Sequence, residues 1–172
     1  MIQDDITFFS NLYKQAETLQ KAKEAEFYER LQKDKDGKFY LNMLKQGTMS
    51  DRISALSTII QKDPQSSLSY IQNLIGMSKK KNRKQVEVAI NQLRDLFCDT
   101  LLHDDRKLSP FSKNPELLQA AKSRGKVDNT LILQAYFEHH LKELYSDFII
   151  GVLKPMTHDD LEFYRKFGLN TL

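Results

Sequence analysis

The sequence predicts an all-α protein of the helical-repeat kind, a HEAT/armadillo-like α-solenoid. Three observations carry that prediction. Chain breakers are scarce, with six Gly and four Pro in 172 residues, whereas a β-sandwich or barrel needs turn residues at every strand end. Apolar residues recur at three- and four-residue spacing along most of the chain. A short pattern, small-apolar-x-x-apolar, returns at Ala55-Leu56-x-x-Ile59, Ala89-Ile90-x-x-Leu93 and Gly168-Leu169-x-x-Leu172. The small residues are separated by 34 and then 79 residues, the second gap leaving room for two units. Paired-helix repeats have periods of about 34 to 40 residues, and a small residue lets two helices approach closely. The hydrophobic set is 40% of the chain, enough for one core, and a charged share of 28% argues against wholesale disorder.

The elements follow in order. Residues 1–36 contain neither Gly nor Pro. Phe8, Phe9, Leu12, Tyr13, Ala16, Leu19, Phe27, Tyr28 and Leu31 give one long helix over residues 5–32, with Lys14, Glu17, Lys21 and Glu24 outward. Residues 33–37 are charged, end in Gly37 and predict a loop. A short helix with Phe39, Tyr40, Met43 and Leu44 follows, stopped by Gly47 in the left-handed conformation. Ser50 reads as the cap of the next helix, with Asp51 at the positive end of its dipole and Ile53, Leu56, Ile59 and Ile60 as its buried stripe. Asp63-Pro64 reads as a second start, for a helix carrying Leu68, Ile71, Leu74 and Ile75 and ending near Gly76.

A basic turn occupies residues 79–84. A helix over 83–102 then presents Val86, Ala89, Ile90, Leu93, Phe97 and Leu101 on one face, with Val88 and Leu96 on another, the mark of a helix between two neighbours. Residues 103–113 read as irregular. Asn114-Pro115 opens a short helix, broken by Ser123-Arg124-Gly125. Residues 129–153 form a long helix with Phe137, Leu141, Leu144, Tyr145, Phe148 and Val152 inward, stopped by Pro155. Thr157-x-x-Asp160 resembles a capping box, with Met156 and Leu161 as a hydrophobic staple, and opens a final helix to Leu172. Its stripe of Leu161, Tyr164, Leu169 and Leu172 has no stop signal after it, so an exposed apolar edge is expected there, as in a solenoid interrupted before its terminal repeat.

Several function classes find no residues to support them. A single cysteine leaves neither a disulfide framework nor a cysteine-built zinc site, and it fits a reducing compartment. No apolar run can span a bilayer, and Met1-Ile2-Gln3-Asp4-Asp5 is not the start of a signal peptide. Glu138-His139-His140 and His158-Asp159-Asp160 hold metal-ligand types, but adjacent helical residues point about 100° apart and no His-x-x-x-His pair occurs. Cys98, beside Phe97 in an apolar helix, reads as a buried inert thiol, and a Cys98–His103 pair lacks a third group. There is no Gly-rich phosphate loop and no Gly-x-Ser-x-Gly. The expectation is a protein that is not an enzyme, with no cofactor, metal or small-molecule substrate.

The feature with chemistry is the run Lys79-Lys80-Lys81-Asn82-Arg83-Lys84, five cations in six residues in a chain of net charge only +3. At a helix junction these side chains fan out, which suits a phosphate backbone, and the same run could act as a nuclear localisation signal. Lys79, Lys80, Lys81, Arg83 and Lys84 are therefore the candidate nucleic-acid-binding residues, against the plain alternative of a solvated charged turn. No helix concentrates cations with Asn or Gln on one face, as a reader of base edges would.

Two stretches resemble a known family. One is Gly47-Thr48-Met49-Ser50-Asp51-Arg52-Ile53-Ser54-Ala55-Leu56, continuing to Gln61-Lys62-Asp63-Pro64. The other runs from Met77-Ser78-Lys79-Lys80-Lys81-Asn82-Arg83-Lys84 through Leu93-Arg94-Asp95-Leu96-Phe97 to Asp105-Arg106-Lys107-Leu108. With Tyr136-Phe137-Glu138-His139-His140-Leu141-Lys142-Glu143-Leu144-Tyr145 they resemble the CCAAT-binding-factor/nucleolar-complex family of eukaryotic ribosome assembly proteins, over about residues 39–172. His103 and Asp104 follow Leu101-Leu102 where the family usually carries Pro. Family members are also longer, so a fragment or a strongly reduced relative is expected. The resemblance implies an α-solenoid scaffold for large-subunit assembly in the nucleus and nucleolus. It implies contact with precursor ribosomal RNA within a pre-ribosomal particle, and a heterodimer with a second nucleolar complex protein. The family's older name implies an alternative, a CCAAT-box-binding transcription factor, and a general protein-interaction solenoid is a further one. Residues 1–36 are expected to be an N-terminal helical extension outside the resemblance, and 38–172 the helical-repeat domain, incomplete at its C-terminal end.

Overall fold

The computed structural model describes residues 2–80, 82–102, 107–123 and 127–172. It is an all-α helical-repeat fold, with no strand among the described residues. The helices are α1 (Ile2–Lys33), α2 (Lys35–Gln46), α3 (Met49–Lys62), α4 (Leu68–Ser78), α5 (Arg83–Leu96), α6 (Pro115–Ser123), α7 (Asn129–Phe148), a single turn α8 (Lys154–Met156) and α9 (Glu162–Thr171). Successive helices pair, α2 with α3 and α4 with α5, and α3 lies against α5, which joins the pairs. The helix α7 closes over α4, and α1 runs along both α2 and α7.

The stripes expected in α3 and α5 make the main core. Ile53, Leu56, Ile60, Ile71, Leu74, Ala89, Ile90 and Leu93 are completely buried and meet Leu141, Phe148 and Val152 from the α7 side. Ala55 is buried too, so both alanines of the repeat pattern lie in the packed pair α3 and α5. Gly168 is buried against α8, where a Cβ would come 2.9 Å from that of Met156. Leu12 and Ala16 of α1 form a second cluster with Phe111, Leu117, Ile132 and Ala135, and Phe27 and Leu31 form a third with Ile59.

Several boundaries differ from those read in the sequence. Residues 33–37 are a one-residue corner. Asp34 caps α2, its carboxylate accepting from the Gly37 N–H at 2.9 Å. Gly37 is not a turn residue. It is buried in the first turn of α2, where a Cβ would overlap the Leu31 backbone. Gly47 stops α2 with extended backbone (φ −73°, ψ 164°), not a left-handed one. A Cβ there would crowd the Met43 carbonyl and the Asp51 side chain. The cap of α3 is Thr48, not Ser50, and Asp51 completes a capping box by accepting from the Thr48 N–H at 2.9 Å. Asp63-Pro64 opens a turn, and α4 starts later, at Leu68, because the Asp63 carboxylate is occupied by the Ser66 N–H and hydroxyl. That helix also runs past Gly76 to Ser78.

The ends of α5 and α7 change pitch. Each passes into a wider π-helical turn, Phe97–Leu101 and Ile149–Leu153, closed by i to i+5 hydrogen bonds. The first turn keeps Phe97 and Leu101 inside and leaves Cys98 exposed, so the thiol is not the buried one expected from its apolar neighbours. The second carries the chain past Pro155, which sits within α8 and does not stop the preceding helix. Thr157 forms no capping box. Its hydroxyl donates to the Lys154 carbonyl, and α9 begins only at Glu162. The exposed apolar edge expected on the last helix is present, with Phe163, Leu169 and Leu172 each more than half exposed. No described helix is long and apolar enough to cross a membrane.

Candidate nucleic-acid interface

The basic run sits at the junction of α4 and α5. Lys79 ends α4, and Asn82 caps α5, its side-chain oxygen accepting from the Gln85 N–H. Four of the candidate residues, Lys79, Lys80, Arg83 and Lys84, are exposed there; Lys81 lies outside the described residues. The four do not share one role. Lys79 donates to both carboxylate oxygens of Asp147 on α7, each at 2.7 Å. Gly151 makes room for this pair, since a Cβ there would lie 2.5 Å from Asp147 Oδ1. Arg83 reaches the carboxylate of Asp159 at 3.3 Å, with its guanidinium 4.8 Å from the centre of the Tyr164 ring. Lys80 and Lys84 make no ion pair among the described residues.

The two pairs tie the α4–α5 turn to α7 and to the segment before α9. Between these elements lies a cleft of about 440 Å³, with Lys79, Lys80 and Arg83 on one wall and Met156, Asp159 and Tyr164 on the other. Arg165 donates to the Asp159 and Asp160 carbonyls at 2.8 and 3.0 Å, and Asp159 Oδ1 accepts from the Leu161 N–H at 2.9 Å. The acidic partner of Arg83 is thus held from behind. Asp147, Asp159 and Tyr164 escape sequence reasoning because 68, 76 and 81 positions of chain separate them from their basic partners.

Of the other residues singled out in the sequence, His140 serves packing, whereas Cys98 and His158 are exposed. His140 is part of the α1–α7 seam, where its Nε2 lies 3.1 Å from the Tyr13 hydroxyl and its Nδ1 3.1 Å from a Glu143 oxygen. A neutral ring suits both contacts, with Nδ1–H donating to Glu143 and Nε2 accepting from Tyr13. Burial, and then the charge of His139, hold the His140 pKa below its ordinary value. Burial next to Tyr13 pushes the Tyr136 hydroxyl up to about 12. Among the described residues no three His, Cys, Asp or Glu side chains converge as metal ligands. His103 of the Cys98–His103 pair lies outside the described residues.

No family model matches the chain. Individual proteins do. CCAAT/enhancer-binding protein zeta of Homo sapiens is 37% identical over 69% of this chain, and ribosome biogenesis protein NOC1 of Chaetomium thermophilum is 32% identical over 94% of it. Nucleolar complex protein 1 of Drosophila melanogaster is 27% identical over 66%. The chain belongs to the CCAAT-binding-factor/nucleolar-complex family. It spans only 12%, 17% and 10% of the length of these three relatives. The nucleolar-complex relatives carry ribosome-biogenesis and nucleolar names, and none of the three is named as an enzyme.

Proposed function

We propose that this chain is a non-enzymatic scaffold segment for nucleolar assembly of the large ribosomal subunit, and that its α4–α5 junction contacts precursor ribosomal RNA. The observation that carries the reading is the pair Lys80 and Lys84, both exposed and without a carboxylate partner among the described residues, with Lys80 lining a cleft on a helical-repeat frame. An assembly scaffold needs phosphate contacts and apolar faces, and no convergent catalytic set. The family membership supports the setting, a pre-ribosomal particle in the nucleolus with a second nucleolar complex protein as partner.

Phosphate contacts reveal themselves in salt dependence. Each contributes about −0.7 to −0.9 to the slope of log affinity against log salt. Replacing Lys79, Lys80, Lys81, Arg83 and Lys84 together by Gln weakens binding to precursor RNA and flattens that slope. Because Lys79 and Arg83 already hold carboxylates, Lys80→Gln with Lys84→Gln accounts for most of the change in slope. Unchanged binding at every salt concentration sinks the proposal. A CCAAT-containing DNA duplex serves as competitor, and preference for it over scrambled duplex and RNA would favour the transcription-factor reading suggested by the name of the human relative.

A further inference from the structure

We infer that the cleft beside the basic turn holds an unpaired nucleotide, whose base stacks on the Arg83 guanidinium while Lys80 and Lys84 take the flanking phosphates. The inference rests on the RNA reading above and deepens it. The division of labour among the cations points to it. Arg83 is already charge-paired, so it adds little net attraction for phosphate. Asp159 grips one edge of its guanidinium at 3.3 Å, and the Tyr164 ring backs it at 4.8 Å. A guanidinium placed over an aromatic ring, with its side chain 48% exposed, offers a stacking surface. Stacking on such a plane is tolerant of base identity, because every base has a π-face.

The rest of the cleft fits a flat, partly apolar guest. Its volume of about 440 Å³ falls within the range of small-ligand clefts, about 300–1,000 Å³. Val86, Val152 and Met156 add apolar surface to its lining. A paired base cannot enter, since both its faces are already stacked in the duplex. The cleft therefore selects single-stranded over double-stranded RNA.

The test uses the 172-residue chain with a fluorescent single-stranded RNA and the same sequence as a blunt duplex. The wild type binds the single strand more tightly. Arg83→Lys keeps the charge and removes the plane. It weakens single-strand binding by about 5- to 100-fold, the loss of one base stack, and leaves the salt slope and duplex binding unchanged. Tyr164→Phe keeps the ring and binds like the wild type; Tyr164→Leu follows Arg83→Lys. A loss below about 5-fold in Arg83→Lys, or equal wild-type affinity for strand and duplex, overturns the inference and leaves the RNA reading standing. Displacement of the strand by polyglutamate at matched charge also overturns it, because a generic polyanion face would then suffice. No salt-dependent binding to either RNA form removes the RNA reading and this inference together.

Discussion

Ala55 and Ala89 show how much a single small side chain decides. Both are buried in helices that lie against each other. Enlarging a side chain in a filled core forces its neighbours off their rotamers and costs about 1–3 kcal/mol. Ala55→Leu and Ala89→Leu each lower the melting temperature accordingly, and wild-type melting in both would refute the close-packing role. Gly37 works by the same logic at the α1–α2 corner, where a Cβ would meet the backbone of Leu31. Backbone cannot yield as a side-chain tip can. Gly151 is the opposite case: its added Cβ would meet the ends of the Asp147 and Lys79 side chains, which can swing away. The sequence marks all of these positions as small residues. Which of them face backbone and which face a movable side chain is a matter of what lies across the gap.

At the scale of an element, α3 carries the sharpest local signal and shows its limits. Its stripe of Ile53, Leu56, Ile59 and Ile60 is legible from spacing alone and is completely buried. Its start is less legible, because Thr48, Ser50 and Asp51 are all competent near a helix N-terminus. Thr48 takes the cap, since the Asp51 carboxylate can return to its N–H and hydroxyl at 2.9 and 2.7 Å. Those two hydrogen bonds hold the Asp51 carboxyl below its ordinary range. Thr48→Ala therefore destabilises the protein by about 1 kcal/mol, whereas Ser50→Ala changes stability by no more than about 0.5 kcal/mol. Chemical denaturation of the two variants decides it, and the reverse order would return the cap to Ser50.

For the whole molecule the seam between α1 and α7 is the long-range joint. Tyr13 packs edge-on to Phe111 with ring centres 5.3 Å apart and meets His140, while Gln15 donates to Asn129 at 2.9 Å. Gln20, buried, donates to the Gln65 carbonyl at 2.8 Å and ties α1 to the turn before α4. The groups facing His140 are Tyr13, Tyr136, Glu17, His139 and Glu143. Since the folded state lowers the His140 pKa, the unfolded chain takes up that proton first as pH falls. Stability drops below about pH 6.5, and the loss is complete once pH is below the folded value. The melting temperature is lower near pH 5.5 than near pH 7.5, and His140→Gln shrinks that difference. An equal difference in variant and wild type would assign the pH effect to other groups.

By itself the sequence determined the class of fold, the stripes of α1, α3, α4 and α5, the exposed apolar edge of α9 and the position of the basic run. All of these rest on spacing along one helix or on local charge, which the chain carries without reference to anything distant. Tertiary structure alone decided how the basic run is used. Lys79 and Arg83 look identical in kind to Lys80 and Lys84 until α7 and the turn before α9 bring Asp147 and Asp159 to them. It likewise decided which residue caps α3, why Cys98 faces outward at the π-helical turn, and that Tyr164 lies beneath Arg83. The physical reason is the same throughout: periodicity is a property of neighbours in sequence, whereas a carboxylate 68 residues away acts only once packing has placed it.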